Sequence, residues 1–332
     1  MNFQQLRSIQ ALTRHGYSLT EVASVSNTSQ PGISRQIRDL EQELDILIFE
    51  RAGKRIVGLS EAGKSILSII NRLLSEADNL KRASLEYTTN SSGVLTVATT
   101  HTQARYALPN VVLPFLDAYA DVRIALQQST PEDIARWVVS GVADIGIASE
   151  GLGQIPELVS FACYRWRHQV LVPDGHPLLA LATLRLEDLA RYPLITYDTG
   201  FTGRGHIDDA FRAAGLRPDI VLTAMDSDVI KQYVELGMGV GLLAPMAYDA
   251  ERDTGLRLID ASTLFAATTT RLAVRRGAYL RSYTYAFILR FAPHLTRADI
   301  DHALQSEWRP DGQHDRPEAV PDIRKQHIDI KI

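Results

Sequence analysis

The sequence predicts an α/β domain preceded by an all-α segment that carries a small two-stranded hairpin. Two observations lead to this prediction. Up to Tyr87, apolar residues recur mainly at spacings of three and four, which is the helical period; from Val94 onward, short apolar strands alternate with helical segments. A chain of 332 residues is long enough for about two domains that each bury a core.

The N-terminal segment has the pattern helix, short helix, turn, helix. The first helix is indicated by Phe3, Leu6, Ile9, Ala11, Leu12 and Tyr17. The second is indicated by Thr20, Val22, Ala23 and Val25, with a cap at Ser18 or Thr20. The core-facing stripe of the third is formed by Ile33, Ile37, Leu40 and Leu44. This order is typical of a helix-turn-helix, whose last helix enters the major groove of DNA.

The third helix has a well-marked start. Ser29 or Gln30 is placed to accept a free backbone N–H, and Pro31 fits the first turn, where its missing N–H costs nothing. Arginines on the outer face of a helix usually indicate only a solvated surface. The helix-turn-helix context favours DNA contact instead. The candidate DNA-binding residues of this helix are Ser29, Gln30, Pro31, Ser34, Arg35 and Arg38.

A hairpin is predicted directly after this helix. Its strands are 46–49 and 56–59, and its tip lies around Gly53. Lys54 and Arg55 add positive charge at the tip, which suits contact with DNA phosphates. The hairpin is therefore predicted to be the wing of a winged helix-turn-helix.

Residues 1–63 resemble the winged helix-turn-helix of LysR-type transcriptional regulators. The matching signature runs through Ser29-Gln30-Pro31, Ser34, Gln36-Ile37, Leu40-Glu41, Ile48-Phe49, Arg51 and Leu59-Ser60-Glu61-Ala62-Gly63. One departure is Asp45, where the family usually has glycine. Aspartate tolerates the left-handed conformation better than most residues, so we expect a small cost in stability and no change of fold.

A long helix is predicted from Ser60, its cap, to about Tyr87. Its apolar seam is formed by Ala62, Ile66, Ile69, Leu73, Ala77, Leu80, Ser84 and Tyr87. So narrow a seam needs a partner, which is either the same helix of a second copy or the chain's own α/β domain. The two-fold symmetry of DNA half-sites favours the second copy. Residues 88–93 then form a short polar hinge.

The α/β domain is predicted to contain two sets of alternating elements. Its strands are 94–98, 122–127, 144–148, 169–172, 194–196, 220–223, 240–243 and 268–275. Its helices are 108–119, 131–140, 186–190, 203–214, 227–236 and 283–291. The resemblance to LysR-type effector domains, which are similar to periplasmic binding proteins, implies two Rossmann-like lobes with a ligand cleft between them.

One loop stands out as a candidate ligand site. Residues 99–103, Thr-Thr-His-Thr-Gln, lie between the first strand and a helix. Hydroxyl and amide donors beside a helix start suit an oxyanion, although such a loop also serves simply to cap a helix. Neutral donors favour a fully ionised anion such as sulfate. His101 is either charged beside the anion or merely polar, and the sequence leaves both readings open.

Several segments of the α/β domain resemble the CysB-like group of LysR-type regulators, which control sulfur assimilation and alkanesulfonate use. The matching runs are 98–111, Cys163-Tyr164 with Trp166, 200–204, Ala224 with Asp226, 228–231, 280–283 and 291–297. In that group threonines and a glutamine hold a sulfate-type anion, and they map onto Thr100, Thr102, Gln103 and Thr202. A further threonine maps onto Ser149, which keeps the hydroxyl and loses a methyl group. Tyr164 and Trp166 either line the cleft or fill a core.

The resemblance implies promoter DNA, a small anionic effector and further copies of the chain as partners, in a homodimer or homotetramer, with RNA polymerase as another partner. The expected effectors are sulfate, thiosulfate, adenosine phosphosulfate and O- or N-acetylserine.

The net charge of −4 fits a small basic reader on a larger acidic domain. The predicted domains are the reader, 1–59; the linker helix, 60–88; the effector domain, 89–300, with lobes at about 93–163 plus 268–300 and about 164–267; and a mobile tail, 301–332, in which a short added strand is the alternative.

The sequence also excludes several classes of protein. A single cysteine, Cys163, permits no intramolecular disulfide, and it fits a reducing cytoplasm as a packing residue better than as a redox switch. We find no nucleophile–base constellation, no metal-ligand spacing, no cofactor motif and no membrane span, so we expect neither catalysis nor a metal or cofactor. The rival class is a solute-binding or enzymatic α/β protein whose helical N-terminus is incidental; the missing export signal and the basic outer face of the third helix argue against it.

Overall fold

The computed structural model describes residues 1–53, 55–88, 92–149, 151–199, 201, 203–306, 308 and 320–323. Two sequence-predicted site residues, Lys54 and Thr202, lie outside these ranges. The chain divides into two compact units, Met1–Thr88 and Thr89–Ile332. The observed fold class, a helix-turn-helix unit and an α/β unit with two mixed sheets, confirms the prediction.

The first unit is a helix-turn-helix with a two-stranded wing and one long helix. Its elements are α1 Phe3–Arg14, α2 Leu19–Val25, α3 Gln30–Glu43, β1 Phe49–Ala52, β2 Arg55–Leu59 and α4 Glu61–Thr88. The side chain of Ser29 accepts a hydrogen bond from the backbone N–H of Gly32 at 3.2 Å, and Ser18 caps α2 in the same way. These caps satisfy donors that the helices leave free.

Helix α3 buries most of the stripe that the sequence predicts. Ile33, Ile37 and Leu40 are buried in the core of this unit. The prediction was wrong for Leu44, which is the last cap residue of the helix and remains 39% exposed. The N–H of Leu44 still bonds to the carbonyl oxygen of Leu40 at 3.0 Å, but the chain leaves the helix at Asp45, so no further helical turn covers Leu44. Glu41 is buried on α3 instead, and its carboxylate makes the contacts described next.

The buried carboxylate of Glu41 joins α3 to the wing. Its Oε1 accepts from the backbone N–H groups of Ile48 and Phe49 at 2.9 and 3.1 Å, and its Oε2 accepts from Arg51 at 2.8 Å. Strand β1 starts at Phe49, three residues later than predicted, and the N–H groups of Ile48 and Phe49 at its start bond to Glu41 instead of a partner strand. Asp45 has φ 53°, the left-handed conformation expected where the family has glycine.

Helix α4 begins in close contact with the wing. Ser60 caps it, since its side chain accepts from the N–H of Gly63 at 2.9 Å. A Cβ at Gly63 would lie 2.0 Å from the carbonyl oxygen of Ile48, so only glycine fits there. Ile70 and Leu74 pack on the core of the unit. They form a second apolar stripe, which the sequence analysis did not separate from the seam.

The predicted seam of α4 is largely uncovered within this unit. Ile69, Leu73 and Leu80 are 46, 41 and 73% exposed. Apolar side chains spaced along one helix face and left in solvent are costly unless another surface covers them. The helix therefore presents a face that suits a partner helix.

The second unit contains two mixed sheets. The first has the order β13-β6-β12-β5-β3-β4 and the second the order β11-β7-β10-β8-β9. The strands of the first sheet are β3 Gly93–Thr99, β4 Val122–Gln128, β5 Ile145–Ser149, β6 Leu158–Trp166, β12 Thr268–Arg275 and β13 Asp322–Ile323. Those of the second are β7 Gln169–Pro173, β8 Pro193–Tyr197, β9 Asp219–Ala224, β10 Val240–Leu243 and β11 Leu256–Ile259. The chain passes between the sheets from β6 to β7 and again from β11 to β12.

Helices cover the sheets of this unit. They are α5 Pro109–Ala118, α6 Pro131–Ser140, α7 Leu186–Leu189, α8 Arg204–Ala213, α9 Ser227–Glu235, α10 Ser282–Phe291 and α11 Arg297–Gln305. Every predicted helix and strand of this domain is present. The sequence analysis missed β6, β11, α11 and a π-helical turn at Gln103–Ala107. Among the described residues, no helix is both long enough and apolar enough to cross a bilayer.

Part of the predicted tail, 301–332, forms regular structure. Helix α11 extends to Gln305, and Asp322–Ile323 pairs in parallel with the end of β6. Asp322 also forms an ion pair with Arg167 at 2.9 Å. These described residues take the added-strand alternative of the sequence analysis rather than a mobile segment.

Candidate functional sites

A cavity lies where the two sheets of the second unit face each other. It is lined by Thr100, Thr102, Gln103, Ser149, Trp166, Tyr197, Phe201, Met225 and Ala244. Most of these residues lie at or just after the carboxyl ends of parallel strands β3, β5, β8, β9 and β10. Ligands of α/β proteins bind at such ends, where loops can change without disturbing the sheet. The cavity is therefore the candidate effector site.

Four of the five predicted effector residues meet in this cavity. Thr100 and Ser149 are buried at the ends of adjacent parallel strands, while Thr102 is partly exposed. Gln103 starts the π-helical turn and is 1% exposed. A π turn widens the helix by one residue, a distortion that is frequent at functional sites. Thr202, the fifth, lies outside the described residues.

Buried neighbours fix the side-chain amide of Gln103. The hydroxyl of Tyr164 donates to Gln103 Oε1, and Gln103 Nε2 donates to the hydroxyl oxygen of Thr270 at 3.4 Å. Trp166 Nε1 donates to the same oxygen at 3.1 Å. Burial raises the pKa of Tyr164, so its phenol keeps the hydrogen that it donates. The same Nε2 also lies 3.9 Å from the sulfur of Met246, so its contacts with Thr270 and Met246 fix the orientation of the Gln103 amide.

Tyr164 and Trp166 thus have different positions. Trp166 lines the cavity with part of its ring, while the ring of Tyr164 is buried in the core and acts through its hydroxyl. Of the two alternatives that the sequence left open, lining the cleft applies to Trp166 and filling a core applies to Tyr164.

Within the described part of the chain, the cavity wall is electrically neutral. None of the described residues that line it carries a formal charge, and its polar groups are hydroxyls, an amide and ring donors. An anion held by neutral donors does not require a buried cation, whose desolvation would be costly. Phe201 and Met225 add an apolar rim. The lining suits a small anion.

A buried histidine supports the wall from behind. His168 is fully buried, and its ring lies against those of Trp166, Tyr197 and Phe265 at centroid distances of 5.0, 6.2 and 5.9 Å. Burial lowers its pKa to about 3, with a smaller contribution from His206, so the ring is neutral. Neither ring nitrogen has a hydrogen-bond partner among the described residues.

Polar contacts tie the loop after β3 to α9 at the edge of the cavity. Asp228 forms an ion pair with Arg105 at 2.7 Å and accepts from the hydroxyl of Tyr106 at 2.7 Å. The side chain of His101 comes within 4.8 Å of the carboxylates of Asp226 and Asp228. Asp228 is already neutralised by Arg105, which disfavours a metal ion at this group. The group instead connects elements of the two sheets.

The candidate DNA-binding surface lies on the first unit. Arg35, Arg38 and Arg55 are exposed, as are Ser29, Gln30 and Pro31, and Ser34 is half-buried. Arg35 lies 3.7 Å from Asp39, and Arg38 Nε donates to the carbonyl oxygen of Ser34 at 3.3 Å. Weak contacts on an exposed helix leave both arginines free to turn toward another partner. Lys54 of the wing lies outside the described residues.

Sequence reasoning did not select Tyr197, Met225 or Ala244 for the effector site. Each lies at the end of a different strand of the second sheet or just after it, and only the three-dimensional pairing brings the three together. Their position just after predicted strands was the one available signal.

A helix-turn-helix unit joined to an α/β unit with a cavity between its sheets is the architecture of a transcriptional regulator with an effector domain. A family model described as "Bacterial regulatory helix-turn-helix protein, lysR family" matches residues 3–64, and the LysR substrate binding domain matches residues 88–296. The chain belongs to the LysR family of transcriptional regulators.

Its curated relatives include transcriptional regulators from several bacteria. The chain is 54% identical over 305 residues to the HTH-type transcriptional regulator SsuR of Burkholderia cenocepacia. The aligned region covers 92% of this chain and 99% of that protein. It is 47% identical to CysB of the same organism, over 92% of this chain and 98% of that protein. The solved cofactor-binding domain of the Cbl transcriptional regulator is 48% identical, with a TM-score of 0.63, and covers 65% of this chain and 95% of that one.

Proposed function

We propose that the protein is a DNA-binding regulator of sulfur-metabolism genes, covering sulfate assimilation, cysteine biosynthesis or sulfonate use. A small sulfur-related anion or acetylserine, bound between the sheets of the α/β unit, controls it. The observation that carries the proposal is the neutral, donor-rich cavity at Thr100, Thr102, Gln103 and Ser149. The similarity of the whole chain to SsuR, Cbl and CysB supports the same assignment.

The expected effectors share one chemical feature, which is a cluster of anionic oxygens. They are sulfate, thiosulfate, adenosine phosphosulfate and O- or N-acetylserine. Thr202, which follows β8, is proposed as a fifth contact. An anion that touches both sheets would favour one relative placement of the lobes, and this differential binding would bias the regulator.

The reader is proposed to bind promoter DNA through Ser29, Gln30, Pro31, Ser34, Arg35, Arg38, Lys54 and Arg55. Two copies joined along α4 would place two readers on two half-sites, and a homotetramer would pair two such dimers. RNA polymerase is a further proposed partner. The protein is proposed to work in the cytoplasm by binding, without catalysis, metal or cofactor.

A gel shift tests the proposal directly. The full-length protein is titrated against the promoter beside its own gene and against a sulfonate- or sulfate-assimilation promoter, with and without each expected effector. The proposal requires a shift that at least one effector changes. Binding to neither promoter, or binding that no effector alters, contradicts it.

Removing one hydroxyl from the cavity should weaken anion binding. Thr100→Val preserves the shape of the side chain and removes a hydrogen bond to a charged ligand, worth about 1.5–3 kcal/mol. Calorimetry should show roughly ten- to hundred-fold weaker binding, with little change in the affinity of the ligand-free protein for DNA. Thr223→Val, on an exposed strand position, is the matched control. Wild-type affinity of Thr100→Val for every anion would place the site elsewhere.

The two kinds of arginine should differ in their effect on DNA binding. Arg35→Ala should cost about 1–3 kcal/mol and relax the preference for particular bases, because Arg35 lies on the recognition helix. Arg55→Ala should weaken matched and scrambled sites alike and lower the salt slope by about one unit, as expected for a phosphate contact. Gel shifts over a salt series measure both. Equal effects of both variants on matched and scrambled DNA would refute this division.

A charge on the exposed seam of α4 should dissociate the dimer. Ile69→Asp would bury an unpaired carboxylate against the second copy of the helix. Sedimentation or light scattering should report a monomer at concentrations where the wild type is dimeric. Ser68→Asp adds the same charge one residue earlier, outside the seam, and should leave the dimer intact. A dimeric Ile69→Asp protein would mean that another surface covers the seam.

A further inference from the structure

Ser227 is a fully buried serine that touches the effector loop from the opposite sheet. It is the first residue of α9, and its hydroxyl lies 3.3 Å from the hydroxyl of Thr102 and 2.7 Å from that of Tyr197. Thr102 and Tyr197 both line the cavity, while Ser227 lies just behind them. Three hydroxyls thus form a continuous chain that ends at the cavity wall.

The hydroxyl of Ser227 is not needed to start its helix. The side chain of Asp226 caps α9, because it accepts from the N–H of Val229 at 2.9 Å. A buried polar group without a structural task is costly to keep, so its contacts with Thr102 and Tyr197 call for another explanation.

One fixed donor gives the chain of hydroxyls a direction. The backbone N–H of Ala244 can only donate, and it donates to the phenolic oxygen of Tyr197 at 3.1 Å. Burial raises the pKa of Tyr197, so its phenol keeps its own hydrogen and directs it to Ser227. Either hydroxyl of the Ser227–Thr102 pair can donate by geometry, and with Tyr197 donating to Ser227 the hydrogen of Ser227 is left for Thr102. A hydroxyl that accepts a hydrogen bond becomes a stronger donor, so the hydrogen of Thr102 is directed into the cavity.

We propose that Ser227 is a specificity-determining residue of the anion site, because it completes the hydrogen-bond chain from Ala244 through Tyr197 to Thr102 and commits Thr102 to donating. This inference rests on the proposed function of the cavity as an anion site. With Thr102 committed to donating, one fewer hydroxyl of the wall can accept a ligand's proton, so the wall favours oxyanions that carry no proton.

The selected ligands are therefore sulfate, sulfonate and thiosulfate rather than phosphate. Above neutral pH, sulfate and hydrogen phosphate carry the same charge and have nearly the same shape. They differ in one O–H group, which needs an acceptor. A free hydroxyl can rotate to supply that acceptor, whereas a Thr102 hydroxyl held by Ser227 faces the ligand with its hydrogen. Charge attraction alone would not separate the two anions.

Calorimetry on the full-length protein at pH 8, with sodium sulfate and sodium phosphate as probes, tests the proposal. The wild type should bind sulfate in preference to phosphate. Ser227→Ala should weaken sulfate binding by about tenfold and leave phosphate binding unchanged or tighter, so the ratio of the two dissociation constants falls by at least that factor. A loss of fold or packing would weaken both anions alike and leave the ratio unchanged.

A double-mutant cycle tests the chain itself. Tyr197→Phe removes the hydroxyl that precedes Ser227, and it should reduce the sulfate preference in the same direction. The double variant should lose no more than the larger single loss, because both substitutions break one chain. Additive losses would show two independent contacts and would overturn the proposal.

Ser160→Ala is the matched control. Ser160 is a serine of the same unit whose hydroxyl accepts from Arg271 Nε at 3.1 Å, and it does not line the cavity. The Ser160→Ala variant should prefer sulfate to the same extent as the wild type. If the wild type prefers sulfate and Ser227→Ala has the same ratio of dissociation constants, only the inference about Ser227 is overturned. A wild type that binds neither these anions nor any expected effector overturns the proposed function as well.

Discussion

Replacing Glu41 by alanine is expected to lower the free energy of unfolding of the helix-turn-helix unit by about 3 kcal/mol, because the change leaves buried donors without an acceptor. The carboxylate accepts from the backbone of Ile48 and Phe49 and from the guanidinium of Arg51. Glu41→Gln keeps one acceptor oxygen but turns an amide N–H group toward one of these donors. It should therefore cost less than alanine but more than a surface change.

Spectroscopy can assign the loss to the correct unit. All three tryptophans, Trp137, Trp166 and Trp308, lie in the α/β unit. Far-UV circular dichroism in urea should show an earlier transition for Glu41→Ala, whereas tryptophan fluorescence should report an unchanged one. Amide hydrogen exchange at Ile48 and Phe49 should be faster, and DNA binding should weaken. Asp39→Ala, an exposed acidic residue of the same helix, is the control. If Glu41→Ala unfolds at the wild-type urea concentration, the carboxylate does not hold the wing.

Replacing Gly203 by alanine is expected to disrupt the effector site. The new Cβ would lie 2.3 Å from Cε1 of His168, and the buried ring has no room to move. Gly203 also has φ 86°, where a side chain costs about 1–2 kcal/mol even in open space. Calorimetry should show sulfate binding reduced at least a hundred-fold, because Gly203 follows the proposed contact Thr202 and His168 supports Trp166 and Tyr197.

A second substitution separates the clash from the backbone cost. His168→Ala combined with Gly203→Ala removes the ring that the new Cβ would strike, so it should recover part of the sulfate affinity lost in Gly203→Ala. Gly205→Ala, where no atom lies within 4 Å of the new Cβ, should bind like the wild type. Full affinity in Gly203→Ala would show that the loop after β8 does not take part in binding.

Much of the fold follows from local sequence rules. The start of α3 at Ser29 and Pro31 is specified within one turn, and the strand from Val240 to Leu243 is a short apolar run between turns. The predicted bounds are wrong where a contact with a residue distant in sequence determines the local structure. Strand β1 starts late because Glu41, on another element, takes the N–H groups of Ile48 and Phe49. Leu44 is apolar but ends the helix, so no later turn covers it.

The site was predictable only where its residues are adjacent in the sequence. Thr100, Thr102 and Gln103 form one polar loop after a recognisable strand, and the resemblance to the CysB-like group added Ser149. Tyr197 and Ser227 carried no such signal, because an isolated tyrosine or serine is common in any α/β chain. Their significance comes from a 2.7 Å contact across 30 residues, which no spacing rule predicts.

The close approach at Gly63 has a mechanical consequence. The first turn of α4 lies against the carbonyl oxygen of Ile48, which also accepts from the N–H of Ser60 at 3.0 Å. Because backbone packs directly on backbone at this junction, no flexible side chain separates α4 from the wing. The rotation of α4 about its own axis therefore sets the orientation of the helix-turn-helix. A rotation at the distant end of this 28-residue helix is therefore passed to the wing through this contact.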